Sequence, residues 1–277
     1  MSSLMHQGRA GFAFFERNWN LTKRYWGWEV VWLVYNVINA LSVTLISKNT
    51  QVLGNISQAQ IDSFTLYLVI GTAVWSYLSV TFDGITDMIN IERWEGTIEH
   101  TFMAPISRFT HLVGSCWYAV AHGLLFTFVQ LIIVASFFHL DLSQANYLTA
   151  VFILLLGSIS FIGFGIAASV LPLLYTERGS QMSFIVKAVI LLVSGVYYPI
   201  DVLPGWMQPL ARISPATYVL NGLRDALQHN QPIWSPSIWA NTWPLVLTGV
   251  LSVPLGLWVF GMAERYAKRK GRLKRNG

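Results

Sequence analysis

Hydrophobic positions gather in six long runs, at about 29–47, 64–88, 111–138, 147–171, 183–200 and 238–262. Each is near the ~20 residues that a helix needs to cross about 30 Å of hydrocarbon. Lipid offers no partner to backbone N–H and C=O groups, so runs of this kind are satisfied by helices. The pattern predicts an all-α polytopic membrane protein with six transmembrane helices. The polar intervals are unequal. Residues 139–146 and 172–182 are short turns, and 48–63 is a polar loop with an Asn55-Ile56-Ser57 acceptor sequence, relevant only in a secretory eukaryotic setting. A charged island at 91–108 follows the second run, and a long stretch from Val196 to Pro236 precedes the sixth.

That long stretch holds six of the ten prolines. Proline fixes φ and removes a donor, so no continuous spanning helix is expected there. The pieces Pro204 to Arg212 and Pro215 to Gln228 start with proline, are amphipathic and are too short to span. They predict broken re-entrant helices over about 200–236, with a small external cap on the bilayer as the alternative. Residues 1–28 carry basic residues and Phe12, Phe15, Trp19, Tyr25 and Trp26 at roughly helical spacing, which suits an amphipathic helix in the membrane interface. This segment lacks the build of a cleavable signal peptide.

Composition narrows the class. The 277 residues are 54% hydrophobic and 11% charged, with a mean hydropathy of +0.49, too apolar for a soluble domain. A net charge of +5 raises nucleic acid as a partner, but the basic residues lie in loops and tails, not on a readout patch. With an amino terminus inside, fifteen of the eighteen Lys and Arg fall on the inner side and Lys48, Arg212 and Arg224 outside. Both termini are therefore expected in the cytoplasm, with residues 263–277 as a basic tail. Trp26, Trp28 and Trp32 mark the inner end of the first span, and Trp234, Trp239 and Trp243 the outer start of the last. The single cysteine, Cys116, excludes an intrachain disulfide and reads as a buried structural thiol.

Catalytic chemistry finds little support. No G-x-x-x-x-G-K-[ST] phosphate loop or H-E-x-x-H is present, and the six histidines show no metal-ligand spacing. Asp83 and Asp87 stand four apart near the inner end of the second span, as interfacial acids or, alternatively, a proton relay. Within 91–108, Trp94, Ile98 and Phe102 recur every four residues as one apolar stripe, with Glu92, Glu95 and Glu99 along its flank and Arg93 and His100 opposite. Gly96 weakens the helix interior and Pro105 ends it, so one short helix is expected.

Three stretches together resemble the type 2 ABC exporter permeases: Glu92 to Arg108, Ser194 to Trp206 and Ser214 to Arg224. The resemblance covers residues 29–262 as one transmembrane domain. It implies that 91–108 is a coupling helix docking into a separate ATPase, through Glu92, Arg93, Trp94, Glu95, Gly96, Thr97, Ile98, Glu99, Phe102, Pro105 and Arg108. Glu177 and Arg178 would make a second inner contact. It further implies two copies of the chain and two ATPase subunits, with ATP and Mg bound by the ATPase, no cofactor in this chain, and residence in the inner membrane of a prokaryote. Aromatic residues of the second and fifth spans, among them Trp75, Tyr77, Phe82, Tyr197 and Tyr198, could line the path of a drug-like or lipidic amphiphile. Stacked aromatics also suit polysaccharide or lipo-oligosaccharide. An ion-coupled carrier is the competing class, although no internal repeat is visible.

Overall fold

The computed structural model describes residues 2–49, 57–140, 142–143, 145–271 and 273. Asn55 and Ile56 of the acceptor sequence, and Arg272, Lys274 and Arg275 of the basic tail, lie outside them. Among the described residues every regular element is helical: α1 (Ser2–Arg24), α2 (Trp26–Asn49), α3 (Gln58–Glu95), α4 (Ile98–Met103), α5 (Arg108–Phe138), α6 (Tyr147–Ala168), α7 (Val170–Leu174), α8 (Gly179–Val193), α9 (Gln208–Ile213), α10 (Pro215–Gln228) and α11 (Pro236–Arg269), with a 3₁₀ turn at Ile200–Val202.

Local chemistry explains where these helices start. Ser57 caps α3 in a reciprocal arrangement with Gln60, Ser107 accepts from the Thr110 N–H at α5, Asn146 from Thr149 at α6, and Ser235 from Ile238 at α11. The two prolines inside α11, Pro244 and Pro254, do not end it. Each withholds one N–H from the ladder, at the carbonyls of Ala240 and Val250, and packing against neighbouring helices makes such a gap tolerable within a membrane.

Five segments are long and apolar enough to cross a membrane: Trp26–Ser47, Gln58–Glu95, Arg108–Phe138, Tyr147–Leu174 and Pro236–Arg269. The fifth expected span, 183–200, is different. It is the helix Gly179–Val193, whose 15 residues rise only about 22 Å. Ser194 and Gly195 turn the chain out of it, Gly195 at φ +71°, and Pro199 follows. The hydrophobic run continues to residue 200, but its backbone does not.

Helix α3 is the axis of the bundle. Ile70, Val74, Tyr77, Leu78 and Phe82 are buried against α6 and α10, and Ile85 and Ile89 against a second cluster that includes Ile98, Phe102, Leu112, Phe260 and Ala263. Of the expected outer pieces, Pro215 to Gln228 is matched by α10, whereas the first helix begins at Gln208 rather than Pro204. Helix α10 buries Ala216, Val219, Leu220, Leu223 and Ala226 in the core, and Ala226 O accepts from the Asn146 N–H at 2.9 Å. The amino-terminal segment is helical as α1, which ends at Arg24 so that Trp26 of the expected stretch starts α2 instead; α1 lies along α5, where Gln7 Oε1 accepts from Ser107 N–H at 3.1 Å and from the Thr110 hydroxyl at 2.7 Å. Cys116 is buried, its Sγ 3.1 Å from Leu112 O.

Candidate functional site

The charged island after α3 does not form one short helix. α3 runs through Glu95, so Glu92, Arg93, Trp94 and Glu95 are its last turn. Gly96 then adopts φ +74° and closes it, a conformation that glycine reaches without a Cβ penalty. α4 begins afresh at Ile98. The expected stripe is therefore divided, because the left-handed residue redirects the chain: Trp94 is 56% exposed, whereas Ile98 and Phe102 are 0% and 7% exposed and belong to the core. What faces outward is Ile91, Trp94, Glu95, Thr97, His100 and Met103, with Pro105 beyond.

The charges of this segment also turn inward. Glu92 is buried and receives Arg17 Nη1 of α1 at 3.3 Å and His111 Nε2 of α5 at 3.2 Å. Arg93 is buried, and donates to Leu273 O at 2.5 Å and to the Thr176 hydroxyl at 2.6 Å. Arg108 forks onto Glu264 of α11, with both bonds at 2.9 Å, and donates to Phe102 O at 2.8 Å; Lys268 joins the same carboxylate at 2.7 Å. Glu92, Arg93 and Arg108 thus bind this chain to itself. Removing one member of such a buried pair strands the other charge and is strongly destabilising, although the pair as a whole adds little net stability. Together these bonds fasten the end of α3 and α4 to α1, α5, α11, the carboxyl-terminal stretch and the α7–α8 turn. Glu177 and Arg178 sit exposed in that turn, next to the Thr176 that Arg93 holds.

A cavity of about 750 Å³ opens between α2, α3, α5 and α8. Its wall contains Trp28, Glu29, Trp32 and Tyr35 from α2, Trp75, Ser76, Ser79, Asp83 and Asp87 from α3, Tyr118 and His122 from α5, Phe184 and Lys187 from α8, and Tyr197. Lys187 Nζ pairs with Asp83 at 2.6 Å, and His122 lies 3.1 Å from Glu29. Of the aromatic residues expected along a path, Trp75 and Tyr197 meet here. Tyr77 and Phe82 do not: both are 0% exposed in the core, the Tyr77 hydroxyl bonded to Ser158 on α6. Tyr198 is directed to the α9 side, donating to Leu192 O at 2.6 Å. Hydrophobicity round a fully apolar helix does not mark which face meets another helix and which a cavity.

One residue that function-directed reading of the sequence passes over is Arg224. It is buried at 9% exposure on α10, and its Nη2 reaches Gly195 O and Val196 O, each at 3.1 Å. Its guanidinium carbon lies 3.5 Å from the Tyr67 ring centre. These are carbonyls freed where α8 breaks, and a planar guanidinium can satisfy both while stacking on the ring. The sequence signal is a lone arginine on the apolar face of a short amphipathic helix.

The family profile of the ABC-2 type transporter matches residues 10–227, most of the chain. A relative, the inner membrane transport permease YadH of Escherichia coli (strain K12), is 22% identical over 217 residues, covering 74% of this chain and 82% of its own length. The protein of the same name in Shigella flexneri matches equally, at 22% identity over the same 74% and 82%. With an all-helical bundle, five apolar helices long enough to span, and a profile match from α1 through α10, this chain belongs to the ABC-2 type transporter family.

Proposed function

We propose that this chain is the transmembrane subunit of an ATP-driven exporter in the inner membrane of a prokaryote, working as two copies with two ATPase subunits and moving a drug-like or lipidic amphiphile. Both termini face the cytoplasm, α8 with its broken continuation serves as the fifth of six passages, and α9 and α10 re-enter from the outer side. The chain itself carries no cofactor; ATP and Mg belong to the ATPase. The observation that carries this reading, beyond family membership, is the exposed cap at Trp94, Glu95, Thr97, His100 and Met103, mounted on a base of buried ion pairs. An exposed tryptophan on so braced a support is a handle: a partner that grips it moves α3 as a body. Glu177 and Arg178 stand beside the same support and provide the second contact.

The test separates gripping from folding. Trp94→Ser should keep the full-length protein folded in the membrane while weakening co-purification of its ATPase by about tenfold or more, the loss expected of an aromatic anchor. Ile98→Ser should instead cost stability, since it places a hydroxyl in the core. Undiminished ATPase association in Trp94→Ser, together with Glu177→Ala and Arg178→Ala, would refute the docking reading. The ion pair of Asp83 and Lys187 favours one rival, an ion-coupled carrier. Export from proteoliposomes that requires ATP and persists after the proton gradient is dissipated excludes it.

A further inference from the structure

The cavity between α2, α3, α5 and α8 carries an unbalanced charge. Besides Tyr35, Tyr118 and Tyr197, its titratable lining is Glu29, Asp83, Asp87, His122 and Lys187, so three carboxylates face one ammonium and one imidazole. With the three carboxylates ionised, the lining is net negative whether His122 is neutral or protonated. Two of the carboxylates have partners: Asp83 holds Lys187 at 2.6 Å, and Glu29 lies 3.1 Å from His122. Asp87 is one helical turn beyond Asp83 on the same face of α3, is exposed, and makes no ion pair or hydrogen bond among the described residues.

The protein already contains a cation bound here, tethered to its own backbone. The Lys187 ammonium sits between the Asp83 carboxylate and the Phe184 ring, 4.6 Å from the ring centre. A carboxylate combined with an aromatic face is a constellation that recognises an ammonium or a larger organic cation. Trp75 and Tyr197 extend the aromatic wall away from the acids, and a cavity of about 750 Å³ is of a size to admit a drug-sized molecule.

Resting on the export reading above, we propose that this cavity selects amphiphiles with a cationic head, Asp87 providing the counter-charge and the aromatic wall the seat for the apolar part. Lys187 acts as a resident competitor. When a cargo cation engages Asp87, the repulsion between it and Lys187 loosens the Asp83 pair and makes Asp83 available as a second acceptor. Anionic amphiphiles meet the excess carboxylate and are rejected.

The experiment uses the full-length chain in phosphatidylcholine nanodiscs and two probes of nearly equal shape and opposite charge, radiolabelled tetraphenylphosphonium and tetraphenylborate, with empty discs subtracted. Saturable phosphonium binding at about tenfold or greater preference over borate is expected, a factor in keeping with one partly desolvated charge pair. Asp87→Asn should lower phosphonium affinity about tenfold and Asp87→Glu less than about threefold, while Lys187→Gln should raise it. Equal binding of the two probes, or no loss in Asp87→Asn, overturns the proposal. Should Asp87→Asn not fold, Lys187→Gln decides alone: unchanged or weaker phosphonium binding overturns it. The measurement needs no ATPase, so its failure is distinct from a failure of ATPase docking in Trp94→Ser.

Discussion

Replacing Arg224 with methionine tests whether the break after α8 is held by a single side chain. Methionine keeps much of the volume and the flexible stem but has no donor. Gly195 O would still receive the Tyr67 hydroxyl at 3.2 Å, whereas Val196 O, which shares Nη2 at 3.1 Å, would lose its bond. A buried carbonyl left without a donor costs about 1–3 kcal/mol. The lost stacking of the guanidinium on Tyr67 adds about 1–2 kcal/mol. Against this stands relief from burying an unpaired cation, which offsets part of the sum. The expected net loss is about 1–4 kcal/mol, corresponding to a fall of about 3–15 °C in Tm at the sensitivity of chains near this size. Arg224→Lys should fall between, since a single ammonium cannot reproduce the planar stack. Thermal unfolding of the purified full-length protein measures the shift, and limited proteolysis between α8 and α11 reports whether the loss is local. A methionine variant as stable as the parent, or more stable, would show that the arginine is merely tolerated and that the break is held by packing.

Other expectations follow from the same geometry. Gly71→Ala should prevent proper folding, because the new Cβ would lie 2.2 Å from Val196 O, a backbone atom with no freedom to swing away; Gly205→Ala, with nothing within 4 Å, is the matched control, and the yield of monodisperse protein compares them. Arg108→Gln and Glu264→Gln should each destabilise by about 2–4 kcal/mol, yet the double variant should cost clearly less than their sum, as a double-mutant cycle on unfolding will read. Loss of ATPase association in Trp94→Ser with retained stability, and loss of stability in Ile98→Ser, should appear as separate effects on co-purification and Tm.

Much of the architecture was legible because lipid imposes a simple rule: apolar runs of sufficient length must be helical. α2, α3, α5, α6 with α7, and α11 contain the expected runs, each extending a few residues beyond the apolar stretch at one or both ends. The rule fails where hydropathy and backbone disagree. Residues 194–200 are apolar in part, but Gly195 and Pro199 prevent helix, and α8 stops at Val193. The stripe of Trp94, Ile98 and Phe102 divides for a related reason. A spacing of four counts as one face only while the helix continues, and Gly96 interrupts it, so Trp94 and Ile98 point in different directions despite the regular interval. Charge was misleading too: Glu92, Arg93 and Arg108 look like surface residues in a loop, and only their partners at Arg17, His111, Thr176 and Glu264, up to 156 residues away in sequence, reveal them as internal braces.

The positions of these braces bear on how force would travel if it enters at Trp94 as proposed. α3 contains no proline and runs 38 residues, about 57 Å, from its cap at Ser57 to Gly96. It is gripped at one end by Glu92 and Arg93, in the middle by the Asp83–Lys187 pair, and towards the other end by the close approach of Gly71 to Val196 and the stacking of Tyr67 under Arg224. Two of these grips, through Lys187 and Val196, are on α8 or the chain just after it, and a third, through Thr176, is just before it. A displacement of α3 must therefore carry α8 with it. α6, α10 and α11 share the buried core with α3 and resist separation from it. α5, a further wall of the cavity, joins that body through Leu112 and Cys116, whereas α2, the last wall, is exposed over most of its length, including Trp28, Trp32 and Tyr35 on the cavity itself. What ties α2 to the body is local, the packing of Ala40 against Val69 and Val134, the 2.7 Å bond between the Ser47 and Thr65 hydroxyls and the Glu29–His122 pair, so force entering at Trp94 would reach α2 only through these contacts with α3 and α5.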